Sequence, residues 1–216
     1  MRALVYDEYT TNDDFSKILK IKNLPIPEPH SNEIVFKVIS AACNYDDIWG
    51  MRGKPLAIPL PHISGTDAAG IVTAVGNDVK NFKVGDRVVS HGNMSCRVCK
   101  TCTDGREFDC KKRTIWGFET GPLWGGYCEY THLPEVNVLK IPEGVSYDDA
   151  AAAANRSPDL SPGASTVEYM MDKNTFYGIR FWCFDLRLSF FTKILFSNML
   201  FVATVKSIVH SRIFFF

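Results

Sequence analysis

Residues 62–92 read HISGTDAAGIVTAVGNDVKNFKVGDRVVSHG, and this stretch decides the fold class. Small and β-branched apolar residues dominate Gly70–Val75 and Arg87–Ser90, which is a composition typical of strands. The runs GND and VGD between them are turn sequences, because Gly, Asn and Asp adopt turn conformations at little cost. The segment therefore predicts two strands joined by tight turns.

The same succession of short apolar runs and turn residues continues on both sides. Further strands are predicted at Ala3–Tyr6, Ile18–Ile21, Glu33–Ala42, Tyr127–Thr131 and Val136–Ile141. Two short helices are also predicted. One lies near Asp46–Gly50, and the other begins after an N-cap at Ser146, with Asp149 three residues later. Many short strands with few helices indicate a mainly-β barrel.

Four cysteines follow at once, in the run CRVCKTCTDGREFDC. They are Cys96, Cys99, Cys102 and Cys110, with the spacing C-x2-C-x2-C-x7-C. Four thiolates this close in sequence can surround one tetrahedral Zn²⁺ and leave no open position, which makes the site structural rather than catalytic. The alternatives are reactive thiols or two disulfides, and two bridges within so short a loop would be strained.

The charge balance of the sequence indicates which kind of ligand the protein binds. The chain has 216 residues, with 24 basic and 24 acidic side chains and a formal net charge of zero. That balance favours a small-molecule ligand over nucleic acid or an anionic membrane. The N-terminus lacks the apolar core of a signal peptide, and Cys43, Cys128 and Cys183 look unpaired, so we expect a cytoplasmic protein.

The character of the sequence changes at about residue 155. Residues 1–155 are expected to form one domain, whereas 156–216 begin with a turn-rich stretch and continue as a Phe- and Leu-rich tail. Our leading interpretation is an anomalous tail that is not a native domain, such as a mistranslated or alternatively spliced end. A genuine hydrophobic C-terminus is the alternative. The segment 188–209 approaches the length of a membrane span, but polar residues interrupt it.

Three segments together resemble a known family. They are the 62–92 stretch, the four-cysteine lobe, and WGGYCEY at 124–130, which leads into VLKIPEGVSYDDAAAA. They are similar to the N-terminal, GroES-like domain of the medium-chain dehydrogenase/reductase superfamily, which includes the zinc alcohol dehydrogenases and quinone oxidoreductases. The resemblance covers nearly all of residues 1–155. It implies a GroES-like β-barrel with short helices and a structural zinc lobe.

The chain departs from the branch of this superfamily that uses a catalytic zinc. That branch carries a Cys-His-[Thr/Ser]-Asp run and a later Gly-His-Glu run, where this chain has CNYDD and GTD. Asn44 and Thr66 thus stand where two zinc ligands belong, which argues against a catalytic Zn²⁺. Cys43 is expected to be a small buried residue at a strand end, and His62 to form local hydrogen bonds.

A narrower resemblance suggests what replaces the metal. The strings NYDDIW, HISGTDAAG and IWGFET look like the crotonyl-CoA reductase/carboxylase-type enoyl-thioester reductases, although the cysteine lobe is not expected in that group. The resemblance implies zinc-independent hydride addition from NADPH, or NADH, to a C=C bond conjugated to a thioester. By that resemblance Asn44 and Tyr45 lie beside the nicotinamide, and Phe118 and Glu119 border the substrate.

The chemistry assigns catalytic roles to three of these residues. Hydride addition makes an enolate, which needs a hydrogen-bond donor at its oxygen and a proton at its α-carbon. Tyr45 could donate, Asn44 could orient the substrate, and Glu119 could position a water. The structural alternatives are a helix cap for Asn44 and Tyr45, and a solvated loop carboxylate for Glu119. Alternative functions are a quinone or alkenal reductase, an alcohol dehydrogenase, or a non-catalytic zinc-stabilised binding module.

Full-length members of the superfamily continue into a Rossmann domain with a G-x-G-x-x-G turn. No such turn follows residue 155 in this sequence. We therefore expect a chain truncated before its cofactor domain and inactive alone, whereas the complete enzyme would bind NAD(P)H and could be a homo-oligomer.

Overall fold

The computed structural model describes residues 1–154. The expected boundary at residue 155, the hydrophobic tail and the question of a Rossmann domain lie outside the described residues. Within residues 1–154, no helix combines the length and apolar character needed to cross a membrane.

Nine short strands form the framework of the described region. A five-stranded antiparallel sheet has the order β8-β3-β4-β5-β9, and β1 pairs with β2 and β6 with β7 in two small antiparallel ladders. The strands are β1 Arg2–Val5, β2 Lys20–Asn23, β3 Glu33–Ala42, β4 Asp67–Val75, β5 Arg87–Ser90, β6 Asn93–Met94, β7 Thr114–Ile115, β8 Tyr130–Pro134 and β9 Val138–Lys140. The prediction of a mainly-β fold is confirmed.

One face of the large sheet encloses the main core. Strand β3 is an interior strand and pairs with β4 on one side and β8 on the other. Its side chains Ile34 and Phe36 pack with Val72, Val88 and Leu133, all at most 1% exposed. Burial of such large apolar side chains contributes roughly 1.5–3 kcal/mol each. This core holds the ends of β3 and β4 in place, and the candidate site lies at those ends.

The described region also contains three short α-helices: α1 Tyr45–Arg52, α2 Lys100–Thr103 and α3 Tyr147–Ala153. Single-turn 3₁₀ helices occur at Phe15–Lys17, Glu107–Asp109 and Glu135–Asn137. The predicted cap of α3 is confirmed, since the backbone N–H of Asp149 donates to Ser146 Oγ at 3.0 Å. The alanines of α3 pack closely on β3, β4 and β5 because they carry little side chain.

Three loop segments near the site touch backbone to backbone, and glycines make this possible. A Cβ on Gly117 would lie 2.2 Å from the carbonyl oxygen of Gly65, and one on Gly125 would lie 2.0 Å from that of Ile63. Both distances are far inside van der Waals contact, so neither position accepts a side chain. We call the segments 63–66, 116–118 and 125–127 the glycine junction.

The junction explains why one predicted strand begins late. Strand β8 starts at Tyr130, not Tyr127, because Gly126 and Tyr127 donate their backbone N–H groups to Gly65 O and Ser64 O instead of to a sheet partner. Other boundaries also differ, and β1 runs over Arg2–Val5, one residue earlier than predicted. Strand β2 begins at Lys20, β4 begins already at Asp67, and the run 136–141 divides into a 3₁₀ turn and the short strand β9. Strands β6 and β7 and helix α2 were not predicted from the sequence.

Candidate functional site

Helix α1 begins three residues after β3 ends, and Asn44 starts it. The Asn44 side chain accepts a hydrogen bond from the backbone N–H of Asp46 at 3.2 Å, and the Asn44 N–H donates to Asp47 Oδ2 at 2.8 Å. This reciprocal arrangement is a capping box, which satisfies N–H groups that the first helical turn leaves free. The predicted helix is therefore confirmed, and so is the alternative interpretation of Asn44 as its N-cap.

The same asparagine connects two buried carboxyl groups. Its Nδ2 donates to Asp67 Oδ2 at 3.1 Å, while its backbone N–H holds Asp47. Thr66 Oγ1 donates to the same Asp67 oxygen at 3.0 Å. The N–H of Gly65 and the hydroxyl of Tyr127 donate to Asp47 at 3.1 and 2.6 Å. The ends of β3 and β4 are thus joined by one polar network, which we call the aspartate network.

Burial strongly perturbs the acids of this network. Removal from water raises the pKa of Asp47 to about 6, against the lowering effect of its hydrogen bonds from Tyr127, Asn44 and Gly65. Burial raises the pKa of Asp67 to about 7, with hydrogen bonds from Asn44 and Thr66 opposing it. Asp67 Oδ1 is buried with no hydrogen-bond partner among residues 1–154. Asp67 can therefore hold a proton near neutral pH.

An aromatic surface runs along α1 beside this network. The rings of Tyr45 and Trp49 meet edge to face with centroids 5.2 Å apart, and Trp49 lies 6.5 Å from Phe118. Tyr45 and Trp49 are 43% and 39% exposed, whereas Phe118 is buried. The structure thus brings the predicted substrate residue Phe118 to the helix that carries the predicted catalytic residue Tyr45.

Glu119 also reaches this region, but its carboxylate has a structural partner. Its Oε2 accepts the backbone N–H of Ile115 at 2.6 Å, which ties the 115–119 turn together. It also faces Asp46, whose pKa is raised first by burial and then by the negative charge of Glu119. Glu119 is therefore more than a solvated loop carboxylate, because it accepts a backbone hydrogen bond. Its proposed role in positioning a water stays a prediction.

Cys43 and His62 were both expected to have structural roles, and the structure agrees with the expectation only for His62. Cys43 is exposed, so the expectation of a buried residue is wrong: it lies just beyond the last β3 residue, outside the sheet. His62 is fully buried, and its Nε2 lies 3.1 Å from the carbonyl oxygen of Gly117, which confirms local hydrogen bonding. Tyr127 had no predicted role, although it lies in the WGGY run that carries part of the family resemblance, and its hydroxyl donates to Asp47. A separate surface groove near Leu24, Leu123 and Trp124 contains none of the predicted site residues.

Asn44→Ala should destabilise the domain by roughly 2–3 kcal/mol. The change removes an N-cap, which typically costs about 1 kcal/mol, and also the donor to buried Asp67, with a comparable cost. Asn44→Ser separates the two effects, since serine caps equally well but is too short to copy the amide bridge. Urea unfolding of the wild type and the two variants measures the contribution of the helix cap and that of the amide bridge to the free energy of unfolding. Equal stability of the Ala and Ser variants would show that the cap contributes nothing.

The four predicted zinc ligands form a compact cluster on a separate lobe. Measured distances between sulphurs are 3.5 Å for Cys99–Cys102, 3.6 Å for Cys96–Cys110, and 3.9 Å for both Cys96–Cys102 and Cys99–Cys110. Zn–S bonds of about 2.3 Å in a tetrahedron place sulphurs about 3.8 Å apart. A disulfide needs about 2 Å, so the cluster fits a metal and excludes the disulfide alternative in this structure.

The backbone of the lobe positions the four cysteines. The β6–β7 ladder closes its base through the pairs Asn93↔Ile115 and Met94↔Thr114. Within it, α2 and the 107–109 turn carry the loop between the cysteines. The backbone N–H groups of Val98 and Cys99 lower the pKa of Cys96, which favours the thiolate that a metal requires. Among residues 1–154, this is the only cluster of three or more His, Cys, Asp or Glu ligands placed to hold a metal.

Comparison with known proteins agrees with this geometry. The Alcohol dehydrogenase GroES-like domain family matches residues 30–143. The chain is similar to a Crotonyl-CoA carboxylase/reductase of Cereibacter sphaeroides, with 34% identity over 167 residues, or 69% of this chain and 38% of that protein. It is also similar to an L-threonine 3-dehydrogenase of Francisella philomiragia, with 36% identity over 62% of this chain and 38% of that protein.

The fold is also similar to solved structures of dehydrogenases and reductases. An NAD-dependent alcohol dehydrogenase has a TM-score of 0.65 at 35% identity, with 71% of this chain and 43% of that chain covered. A Crotonyl-CoA Carboxylase/Reductase has a TM-score of 0.62 at 27% identity, with 69% and 36% covered. The chain thus spans about two fifths of the length of the relatives it matches. It belongs to the alcohol dehydrogenase GroES-like domain family of the medium-chain dehydrogenase/reductase superfamily.

Proposed function

We propose that this domain is the catalytic domain of an NAD(P)H-dependent reductase that adds hydride to an activated C=C bond, such as that of an enoyl thioester. The observation that carries the proposal is the aspartate network. Asn44 and Thr66 stand where the zinc-using branch would have ligands, and both side chains donate to Asp67. A neutral amide and a hydroxyl engaged in this way are poor ligands for Zn²⁺.

The residues around the network suit a reduction that needs no Lewis acid from the protein. A nicotinamide supplies the hydride when bound. The exposed rings of Tyr45 and Trp49 offer a flat apolar surface for a planar conjugated group. The Tyr45 hydroxyl can donate a hydrogen bond to the thioester carbonyl oxygen, where negative charge develops. Asn44, fixed at both its backbone and its amide, holds α1 and therefore Tyr45 in position.

The 115–119 turn completes the apolar side of the site. Phe118 contacts Trp49, and the hydrogen bond from the Ile115 N–H to Glu119 fixes the turn that presents it. The buried ring of Phe118 excludes water from this side of the site, which strengthens hydrogen bonds to a developing charge. The arrangement supports an unsaturated acyl group as substrate. The 34% identity to a Crotonyl-CoA carboxylase/reductase supports the same class of substrate.

Tyr45→Phe should lower kcat by about 10²-fold with little change in KM, because loss of one donor to a developing oxyanion typically costs that much. The measurement uses residues 1–154 joined to the cofactor-binding part of the Cereibacter relative. The rate of NADPH oxidation with crotonyl-CoA is followed by absorbance. Trp49→Phe is the matched control, since it keeps an aromatic ring and removes no phenol. An unchanged kcat would assign Tyr45 to packing.

The same fusion tests the proposed reaction against its rivals. NADPH or NADH oxidation with crotonyl-CoA is expected. Oxidation of L-threonine with NAD⁺, or reduction of quinones or alkenals without activity on crotonyl-CoA, would overturn the enoyl-thioester assignment. Absence of turnover with all of these substrates would favour a zinc-stabilised binding module.

A further inference from the structure

A run of three basic residues, Lys111, Lys112 and Arg113, separates the last cysteine of the lobe from the turn that carries Phe118. We call this run the basic run. It lies in the turn that leads into β7, and Lys111 and Lys112 are exposed. Because Phe118 follows Arg113 by only five positions, their Cα atoms are at most about 17 Å apart.

The charges of the basic run are not used within the lobe. Residues 96–113 contain six basic and three acidic side chains. All three acidic side chains already have cationic partners in the lobe: Asp104 with Lys100 at 2.9 Å, Glu107 with Arg97 at 3.2 Å, and Asp109 with Arg106 at 3.6 Å. Among residues 1–154, no carboxylate forms an ion pair with Lys111, Lys112 or Arg113.

Arg113 is held in place by two contacts. Its guanidinium lies 4.7 Å from the centroid of the Phe108 ring, and its Nη1 donates to Asn93 Oδ1 at 3.4 Å. Its positive charge acts on Asp46, in the first turn of α1. A cation fixed by stacking on an aromatic ring loses little conformational entropy when it binds an anion. Arg113 thus lies close enough to the first turn of α1 for its charge to act there, and Lys111 and Lys112 next to it are exposed.

We propose that Lys111, Lys112 and Arg113 bind a phosphate group of the ligand whose reacting end lies beside α1. This inference rests on the proposed function, which places a substrate and a nicotinamide at that surface. Arginine and lysine are the side chains that bind phosphate most effectively. Two sources share the chemistry: the nucleotide phosphates of a coenzyme A thioester, and the 2′-phosphate of NADPH. The length of a coenzyme A arm, with phosphates far from the thioester, favours the first.

The zinc cluster provides a competing explanation for the excess charge. Four thiolates and one Zn²⁺ carry a charge of −2, and the backbone N–H of Lys112 already donates to Cys110 Sγ at 3.4 Å. If the lysines only balance this charge, their removal should weaken zinc retention and leave ligand binding unchanged. Zinc content is therefore measured on every variant.

The test measures binding, not turnover, on the full chain. Isothermal titration compares crotonyl-CoA with crotonyl-pantetheine, which lacks the nucleotide phosphates, and NADPH with NADH. Lys111→Gln/Lys112→Gln should weaken crotonyl-CoA binding about tenfold at low salt and leave crotonyl-pantetheine binding unchanged. A loss confined to NADPH would assign the phosphate to the cofactor. The control Lys80→Gln/Lys83→Gln removes two lysines beyond the end of β4 opposite Asp67.

Several outcomes would overturn the phosphate site. They are equal affinity of the wild-type chain for phosphorylated and unphosphorylated probes, no binding of any phosphorylated probe, or equal losses in the test and control variants. If the double variant loses zinc, the binding comparison is made with the single variant Lys111→Gln, and its result decides between the two explanations. Failure of the proposed function has a different signature: the fusion would not oxidise NADPH with crotonyl-CoA, while phosphate-dependent binding to the chain persists.

Discussion

Cys99→Ser should reduce the zinc content from about one ion per chain to nearly none. The variant replaces a thiolate with a hydroxyl that does not ionise, and the cluster then has three sulphurs for a site that needs four ligands. Because binding of a structural zinc is part of the folding free energy, residues 95–113 should also become sensitive to protease. Elemental analysis and limited proteolysis measure the two effects.

Cys43→Ser is the matched control for this experiment. Cys43 is an exposed free cysteine outside the cluster, so its replacement should leave the zinc content at one. Wild-type protein without zinc would refute the assignment of the lobe. Two zinc ions per chain would contradict the proposal that the Asn44 and Thr66 positions hold no metal, because a second site would then exist beside α1.

Asp67→Asn should flatten the dependence of stability on pH. The folded pKa of Asp67 is about 7, raised by burial from an ordinary value near 3.8. The folded state therefore holds this proton more tightly than the unfolded state does. The resulting stability is fully present below pH 4 and is lost as pH rises through about 7. Over that interval the loss reaches as much as about 4 kcal/mol.

Asparagine imitates the protonated acid, since it keeps an oxygen to accept from Asn44 and Thr66 and carries no charge. The variant should match the wild type near pH 4 and exceed its stability at pH 8, in chemical unfolding at each pH. Asp47 contributes in the same direction with a pKa of about 6, so some slope should remain. Exposed Glu28→Gln serves as the control. A pH profile of Asp67→Asn that superimposes on the wild type would show that the buried proton is absent.

Much of the fold could be predicted because its signals are local. The β3 and β5 boundaries match the apolar runs residue for residue, since each strand is bounded by turn residues. The cysteine spacing predicted a cluster that the structure assembles, because its ligands lie within one loop. The cap of α3 could also be read from Ser146 and Asp149 alone.

The candidate site was harder to predict because its contacts join distant parts of the chain. Asn44 meets Asp67 across 23 residues, and Tyr127 meets Asp47 across 80. A polar residue after a strand gives no indication of which carboxyl it will meet. The buried state of Asp67 follows from packing of β4 against β3, and its perturbed pKa follows from that burial. Asn44 and Tyr45 lie at the start of α1, close to where the sequence predicted a helix, whereas the network behind them required the structure. The catalytic roles of Asn44, Tyr45 and Glu119 stay predictions.

The glycine junction also limits how this site could be re-engineered. Segments 63–66, 116–118 and 125–127 touch through their backbones, so no side chain can absorb a shift in one of them. Grafting a single loop from a relative with another substrate would displace the other two. A recombination library that exchanges all three segments together should retain more folded members than one that shuffles them singly. Diversity is then best introduced at Tyr45 and Trp49, whose side chains form the aromatic surface and which lie outside the three junction segments.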